Sequence, residues 1–361
     1  MTFNTTAKII LEDGTELTGK SFGANTSKAG EVVFNTAMTG YPESLTDPSY
    51  KGQILTLTYP LVGNYGVPNE EKHLDGLEKF FESEKIHISG LIISDYSIEH
   101  SHWNAQKSLS EWLKEHQIPA VYGIDTRALT EKLRENGTML GKIVTEQDTP
   151  FYDPNTVNLV AEVSCKEKRT YGNGKHRIIL IDCGVKNNII RCLLDYDTTV
   201  IRVPWNYDFT QEEYDGIFIS NGPGNPEMCD TTIQHLKKAL QEDKPIFGIC
   251  LGNQLLGLAS GASTFKLKYG HRSHNQPVQM KDTNTCFITS QNHGYALDLE
   301  SLSQDWEPLF INLNDGTCEG IKHKTKPFYT TQFHPEASGG PEDTQFFFKW
   351  FIEKIQERKS N

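Results

Sequence analysis

The sequence predicts a two-domain α/β protein, with a β-rich first half and a doubly wound, mostly parallel sheet in the second half. Three observations support this prediction. A length of 361 residues corresponds to two domains at about 150 residues each. From residue 177 onward, apolar strands alternate with helices, as in parallel α/β sheets. The polar stretch 166–176 precedes this change, so we predict a linker there, between domains 1–165 and 177–361.

The first half begins with a hairpin pattern. Residues 8–11 and 15–18 flank Asp13-Gly14, a dipeptide typical of tight turns between strands. The other elements predicted for this half are strands 31–35, 53–57 and 88–94 and helices 109–116 and 126–136, the last ending at Gly137.

The second half opens with Arg177–Asp182, a continuous apolar run typical of a buried parallel strand. The elements that follow are strands 199–203, 216–220 and 245–249 and helices 187–196, 230–242 and 251–259. Short strands are predicted within 277–333, and an aromatic-rich helix over 342–357.

Composition and charge narrow the range of possible functions. The net charge of −12 disfavours generic nucleic-acid binding, and the longest apolar runs fall short of a membrane span. Residues 1–4 lack the basic and apolar features of a signal peptide. Seven cysteines without a C-x-x-C pair disfavour zinc ribbons and disulfide frameworks. We therefore expect a cytoplasmic protein with reduced thiols that binds neither nucleic acid nor membrane.

One cysteine stands in a catalytic pattern. Gly248, Cys250 and Gly252 form G-x-C-x-G between a predicted strand and a predicted helix, the thiol counterpart of the nucleophile elbow. Small neighbours allow a sharp turn that exposes the thiol, and the following backbone N–H can stabilise an oxyanion. The alternative is a buried structural cysteine whose neighbouring glycines serve packing.

A cysteine nucleophile needs a base and a group that orients the base. His334 and Glu336 follow a predicted strand and, two residues apart, can point to the same side. The alternative is a surface His-Pro-Glu turn. Two polar loops, 220–226 and 290–295, could complete the site, the first by offering backbone amides to an oxyanion, or could be plain turns.

The cysteine motif, the glycine loop and the His-Pro-Glu segment resemble, in this order, the class I glutamine amidotransferases. That resemblance implies Cys250 as nucleophile, His334 as base and Glu336 as its orienting partner. The segments that further resemble the carbamoyl-phosphate synthase small subunit are 39–50, 57–66, 123–129, 182–188 and 290–294. They cover both halves, which other amidotransferases with the same triad would not explain.

The same resemblance implies a set of glutamine-binding residues. They are Ser49, Gly222, Gly224, Leu251, Gln254, Asn292, Gly294 and Tyr295. Ser49 would reach the pocket from the first domain, which would also associate with the large subunit. The chain departs from the family pattern at Asn253, a position often occupied by histidine, and at Tyr295, where phenylalanine is frequent.

The resemblance implies a function for the whole assembly. The chain would release ammonia from glutamine and pass it to a large synthetase subunit, which makes carbamoyl phosphate from bicarbonate, ammonia and ATP for pyrimidine and arginine biosynthesis. The two subunits would form a heterodimer or a larger assembly. The chain lacks a Walker A loop and a metal-ligand motif, so we expect no cofactor in it and place ATP and magnesium on the large subunit.

Three alternatives remain at this point. The chain could be an amidotransferase that serves another synthase, although its first half argues against that. It could be a catalytically silent scaffold that only binds a synthetase, although Cys250, His334 and Glu336 are all present. It could also be a free-standing thiol hydrolase, which stable association with a large subunit would disfavour.

Overall fold

The computed structural model describes residues 5–73 and 75–360. They form two compact units, Met1–Val157 and Asn158–Asn361. Residues 1–4, on which the expectation about a signal peptide rests, lie outside the described residues. None of the helices in the described ranges has the length and apolar character that crossing a membrane requires.

The first unit is built on a closed barrel. Its strands are β1 (Thr6–Leu11), β2 (Glu16–Ser21), β3 (Lys28–Asn35), β4 (Gln53–Leu57), β5 (Gly90–Ile93), β6 (Ala120–Tyr122) and β7 (Met139–Val144). They neighbour one another in the order β1-β2-β6-β5-β4-β3-β7. The pairs from β3 through β6 are parallel, and the predicted β1–β2 hairpin is confirmed as antiparallel.

The helices of this unit are α1 (Tyr41–Thr46), α2 (Leu109–Glu115) and α3 (Thr126–Asn136). Helix α2 begins with a capping box, in which Ser108 and Glu111 satisfy each other's backbone N–H groups. Helix α3 ends at Gly137, whose φ of 96° a side chain would disfavour. The predicted boundaries of both helices agree with the structure because these local signals are strong.

The second unit contains a 10-stranded sheet. Its strands are β8 (Arg169–Gly172), β9 (His176–Asp182), β10 (Thr198–Pro204), β11 (Gly216–Ile219), β12 (Ile246–Ile249), β13 (Thr264–Met280), β14 (Cys286–Leu297), β15 (Trp306–Asn312), β16 (Cys318–His323) and β17 (Phe328–Thr331). The helices are α4 (Leu159–Val163), α5 (Asn187–Leu194), α6 (Asp230–Ala239), α7 (Leu251–Ala259) and α8 (Phe346–Ser360).

The sheet has a parallel centre and antiparallel flanks. Its order is β14-β13-β15-β16-β17-β12-β11-β9-β10-β8. The five strands from β17 to β10 pair in parallel, as the predicted α/β class requires. The core strand β9 is apolar on both faces, and the aromatic side chains of α8 stack on Phe218 and Phe247. The predicted α/β fold class is thus confirmed for the described residues.

Two segments differ from the prediction. The predicted linker 166–176 contributes β8, which pairs antiparallel with β10, so the units divide after Val157 instead. The predicted loop 290–295 lies inside β14, and its partner β13 was not predicted at this length. Both segments are polar, and pairing with neighbouring strands, which single-sequence patterns do not encode, makes them strands.

Candidate active site

Cys250 occupies a sharp turn between β12 and α7. Its backbone has φ 55° and ψ −103°, a strained conformation for a residue other than glycine. Its N–H donates to the Thr331 carbonyl at 2.8 Å, which ties the turn to β17. The side chain is buried, and Sγ lies 3.7 Å from the Asn292 carbonyl oxygen. This strand–turn–helix geometry is typical of a nucleophile elbow.

The glycines beside Cys250 are required by space. A Cβ atom on Gly248 would lie 2.6 Å from the Gly252 backbone, and one on Gly252 would lie 2.3 Å from the Ile219 carbonyl oxygen. Helix α7 therefore begins in direct contact with the ends of β11 and β12. The glycines therefore do serve packing, as the alternative proposed. The same close packing surrounds the strained turn at Cys250.

His334 and Glu336 follow β17 and form a buried pair. The Nδ1 atom of His334 lies 2.6 Å from Oε1 of Glu336. Because a carboxylate can only accept, Nδ1 carries the hydrogen, and Nε2 is left without a hydrogen-bond partner among the described residues. Burial alone would lower the pKa of His334, but Glu336 and then Cys250 raise it to about 10. The alternative of a surface His-Pro-Glu turn is therefore wrong, because both side chains are buried.

Lys186 completes this buried arrangement, and sequence reasoning did not assign it a role. Its Nζ lies 3.0 Å from Oε1 of Glu336 and donates to the Ala337 carbonyl at 2.8 Å. Asn188 donates its side-chain amide to the Glu336 carbonyl. Burial would raise the pKa of Glu336, but Lys186 and His334 outweigh it and lower the pKa to about 2. The only available signal was the position of Lys186 in segment 182–188.

The glycine loop lies after β11, the neighbour of β12. Gly222 is enclosed, since an added Cβ would lie 2.1 Å from the Cys183 carbonyl oxygen and 2.8 Å from the Leu251 side chain. Gly224 has φ +84°, which favours glycine. Leu251 is the first residue of α7, directly after Cys250. The structure thus brings the loop and the elbow together at the carboxyl ends of the neighbouring strands β11 and β12.

Strand β14 supplies the next group of predicted residues. Gln254 on α7 donates its Nε2 to the Tyr295 carbonyl at 2.9 Å. Asn292 contacts the Cys250 thiol through its carbonyl oxygen. A Cβ atom on Gly294 would lie 3.3 Å from the Arg272 guanidinium. Asn292, Gly294 and Tyr295 therefore lie on the strand that passes the nucleophile.

Ser49 belongs to the first unit. It is buried in a short 3₁₀ turn, Pro48–Tyr50, where its N–H donates to Oδ1 of Asp47 at 2.9 Å. Its predicted role in the glutamine pocket stays a prediction.

Asn253, the departure from the family pattern, is fully buried behind the elbow. Its Nδ2 donates to Oε1 of Gln332 at 2.9 Å, and its Oδ1 accepts from Thr330 Oγ1 at 2.6 Å. Gln332 Oε1 also accepts from Gln254 at 3.2 Å. Asn253 therefore has a neutral, hydrogen-bonded environment that connects β17 with α7.

One group of side chains could in principle hold a metal ion. His271, His293 and Glu319 are buried, and one potential ligand atom of each lies within 4.8 Å of the others. The imidazole nitrogens already have partners: His271 contacts Asp315 and Gln291, and His293 contacts Gln291 and the Tyr295 carbonyl. The cluster is therefore a hydrogen-bonded network as it stands.

Comparison with known families agrees with this geometry. Residues 179–354 match the family described as "Glutamine amidotransferase class-I", which defines the class of the second unit. Residues 9–143 match "Carbamoyl-phosphate synthase small chain, CPSase domain". Together the two matches cover most of both units, with the small-chain domain before the amidotransferase domain in the sequence. The chain belongs to the carbamoyl-phosphate synthase small-chain family, and the predicted family is confirmed.

Curated relatives extend the similarity over nearly the whole chain. The chain is 54% identical over 360 residues to "Carbamoyl-phosphate synthase [ammonia], mitochondrial" of Aquarana catesbeiana, covering 98% of this chain and 24% of the relative. It is 52% identical to "Multifunctional protein CAD" of Squalus acanthias, covering 98% and 16%. It is 49% identical to "Multifunctional protein URA2" of Saccharomyces cerevisiae, covering 97% of this chain and 17% of the relative. The chain spans about a quarter or less of these relatives.

Proposed function

We propose that this chain hydrolyses glutamine with Cys250, His334 and Glu336 and supplies the ammonia for carbamoyl phosphate synthesis. The observation that carries the proposal is the buried His334–Glu336 pair beside a cysteine held in a strained elbow. A structural cysteine would not need the strained backbone. Against the effect of burial, the pKa of His334 is raised by Glu336 and by Cys250, which supports a functional pairing of the imidazole with the thiol.

The first half of the reaction forms a thioester. The Cys250 sulfur attacks the side-chain carbonyl carbon of glutamine, and the negative charge moves to the carbonyl oxygen. Backbone N–H groups at Leu251 and Gly224 would stabilise this oxyanion, a contribution worth about 3–4 kcal/mol per donor in comparable enzymes. The tetrahedral intermediate collapses, the C–N bond breaks, and the Nε2 proton of His334 goes to the leaving ammonia.

The second half releases glutamate. His334, now neutral at Nε2, takes a proton from water, and the resulting hydroxide equivalent attacks the thioester carbonyl. The C–S bond breaks, and the thiolate of Cys250 and the imidazolium of His334 are restored. Glu336 holds Nδ1–H in the orientation that keeps Nε2 directed at the reacting atoms, and Lys186 balances the carboxylate charge.

Glutamine would be bound by the residues predicted from the family resemblance. We assign Gly222, Gly224 and Leu251 to the end that contains the amide carbonyl, since Leu251 directly follows Cys250 and Gly222, in the same loop as Gly224, packs against the Leu251 side chain. The strand residues Asn292, Gly294 and Tyr295 line the approach to Cys250, and Gln254 supports them through the Tyr295 carbonyl. Ser49 would add a contact from the first unit.

A large synthetase partner would use the ammonia. The much greater length of the relatives supports this, since each carries further sequence beside the region matched here. ATP and magnesium would bind to that partner, and carbamoyl phosphate would enter pyrimidine and arginine biosynthesis. The relatives include multifunctional proteins, so the partner is either a separate subunit in a heterodimer or part of the same polypeptide.

Replacing Cys250 with alanine tests the proposal. In the assembled synthetase, we expect glutamine-dependent carbamoyl phosphate formation to be lost and ammonia-dependent formation to be retained. Cys286→Ala is the matched control, because Cys286 is an exposed free thiol and should leave both activities unchanged. Glutamine hydrolysis that persists in Cys250→Ala would refute the assignment of the nucleophile.

A catalytically silent scaffold is the second candidate, because the relative from Aquarana catesbeiana is named a carbamoyl-phosphate synthase of the ammonia type. The same assay separates the two: a scaffold would show equal, ammonia-only activity with and without Cys250. We also propose a reducing compartment, the cytoplasm, since none of the seven cysteines, all within the described residues, forms a disulfide. Cell fractionation tests that assignment, because recovery in the mitochondrial fraction would contradict it.

A further inference from the structure

Strand β14 passes Cys250 in a short paired segment that has an irregularity at each end. Between residues 291 and 293, it pairs with His271, Arg272 and Ser273 of β13. The register shifts on both sides of these three pairs, before His271 and after Ser273. Register shifts interrupt the hydrogen-bond ladder, so side chains must supply part of the order that regular pairing would give.

His271 is the anchor of the side-chain network at this place. Its Nε2 lies 2.8 Å from the Asp315 carboxylate, and its Nδ1 lies 3.0 Å from Gln291 Oε1 and 3.4 Å from the Glu319 carboxylate. Both nitrogens therefore face acceptors, and the Asn312 side-chain amide nitrogen also lies 3.5 Å from Nδ1, so the ring is held from several sides. Burial would lower the pKa of His271, but its hydrogen bonds to Asp315 and Glu319 raise the pKa to about 9.

The network continues from His271 to the predicted glutamine pocket. The Gln291 amide lies between the two imidazole rings and donates its Nε2 to Glu319 at 3.0 Å. His293 packs edge-on against His271, with ring centroids 4.9 Å apart. The Nδ1 of His293 donates to the Tyr295 carbonyl at 2.8 Å, the same oxygen that accepts from Gln254.

We propose that His271 is a positioning residue for glutamine binding: its ring, fixed by Asp315 and Glu319, holds Gln291 and His293 and thereby the part of β14 that contains Asn292, Gly294 and Tyr295. The inference rests on the proposed function, because it assigns this strand to the glutamine pocket. His271 does not touch the reacting atoms. Its loss should weaken substrate binding and leave the elbow intact.

The test is steady-state glutamine hydrolysis by the full chain with its synthetase partner. For His271→Asn, we expect the KM for glutamine to rise about tenfold, the effect of losing about one charged hydrogen bond, while kcat changes less than about threefold. Asp315→Asn should raise KM in the same direction. Asp315 is half-exposed, so this second variant keeps the test valid if His271→Asn does not fold.

Two alkylating reagents separate positioning from general damage. Iodoacetamide needs only a reactive thiol, so the modification of Cys250, followed by peptide mass spectrometry, should be unchanged in His271→Asn. A glutamine-shaped chloroketone needs the pocket, so its reaction with Cys250 should be slower by the same factor as the change in KM. His73→Asn, at an exposed histidine in the first unit, is the control and should behave as the unchanged chain.

The outcomes are distinct. An unchanged KM in both His271→Asn and Asp315→Asn, with normal hydrolysis by the unchanged chain, would overturn this inference and leave the proposed function standing. A parallel loss of kcat and iodoacetamide reactivity would assign His271 a purely structural role and also overturn it. No hydrolysis by the unchanged assembly would overturn the proposed function itself. Activity lost on chelation and restored by zinc would show that the cluster binds metal, which contradicts the hydrogen-bonding role.

Discussion

Replacing Lys186 with methionine should destabilise the second unit by about 3–5 kcal/mol, the usual cost of removing one member of a buried ion pair. Lys186 is 7% exposed and Glu336 0%. At the observed Nζ–Oε1 distance of 3.0 Å, Coulomb attraction with an effective dielectric constant of about 20 is about 5 kcal/mol, consistent with that cost. Methionine retains most of the aliphatic stem, so the loss reports on the charge and not on packing.

The same variant should change how stability depends on pH. The pKa of Glu336 is lowered to about 2, below its unfolded value of about 4.3. A lowered pKa contributes stability that is fully present above the unfolded value and is lost as the pH falls through the folded value. Without Lys186 the folded pKa of Glu336 rises, so this contribution shrinks and acid unfolding should begin at a higher pH.

Urea unfolding at pH 7 measures the loss of stability, and a series from pH 5 down to pH 2, followed by circular dichroism, measures the change in pH dependence, because the Glu336 contribution is lost between its unfolded and folded pKa values. Lys168→Met is the matched control: Lys168 pairs with Glu212 at 2.8 Å, but it is 44% exposed and screened by water, so we expect a much smaller loss than for Lys186→Met. Equal losses for the two variants would refute the role assigned to Lys186. So would a stability–pH profile for Lys186→Met that is parallel to that of the unchanged chain.

Two further predictions concern the packing around the elbow. Gly252→Ala should destabilise the chain by about 3 kcal/mol or more and reduce the reactivity of the Cys250 thiol. The reason is that the new methyl group would lie 2.3 Å from the Ile219 carbonyl oxygen. An unchanged melting temperature would contradict this prediction. Asn253→Leu should lower the free energy of unfolding by about 2–4 kcal/mol, because Thr330 and Gln332 would each lose a buried hydrogen-bond partner. Chemical unfolding measures this loss. A stabilised variant would show that the polar network is dispensable.

The sequence was most informative where local chemistry fixes local structure. The elbow could be predicted because Gly248 and Gly252 flank Cys250 between an apolar strand and a helix. Both glycines are needed because α7 directly contacts the ends of its neighbouring strands, and the residues in this contact are close in sequence to Cys250 or follow the adjacent strand. Strand β13 could not be predicted at its true length. Its residues are mostly polar and include a glycine and a proline, and pairing with β14 and β15 makes them a strand.

The candidate site shows the same division. The pairing of His334 with Glu336 follows from a spacing of two residues, which a sequence displays. The contact of Lys186 with Glu336 joins residues 150 positions apart and has no spacing signature. The network from Asp315 through His271 to His293 is equally remote in sequence, and its members resemble ordinary surface polar residues until burial is known.

Sheet order explains why these distant groups meet. Strands β9, β11, β12 and β17 are adjacent and parallel, so the residues that follow them lie along one edge of the sheet. Lys186 follows β9 and Glu336 follows β17, which are three strand spacings apart, about 14 Å at about 4.8 Å each. The loops must therefore converge over the elbow, and a long side chain must close the remaining gap. Arginine could also reach, but its planar group needs more space than the ammonium of Lys186, which contacts both the Glu336 carboxylate and the Ala337 carbonyl. The strand order thus explains why a long, compact cation such as lysine suits the position opposite Glu336.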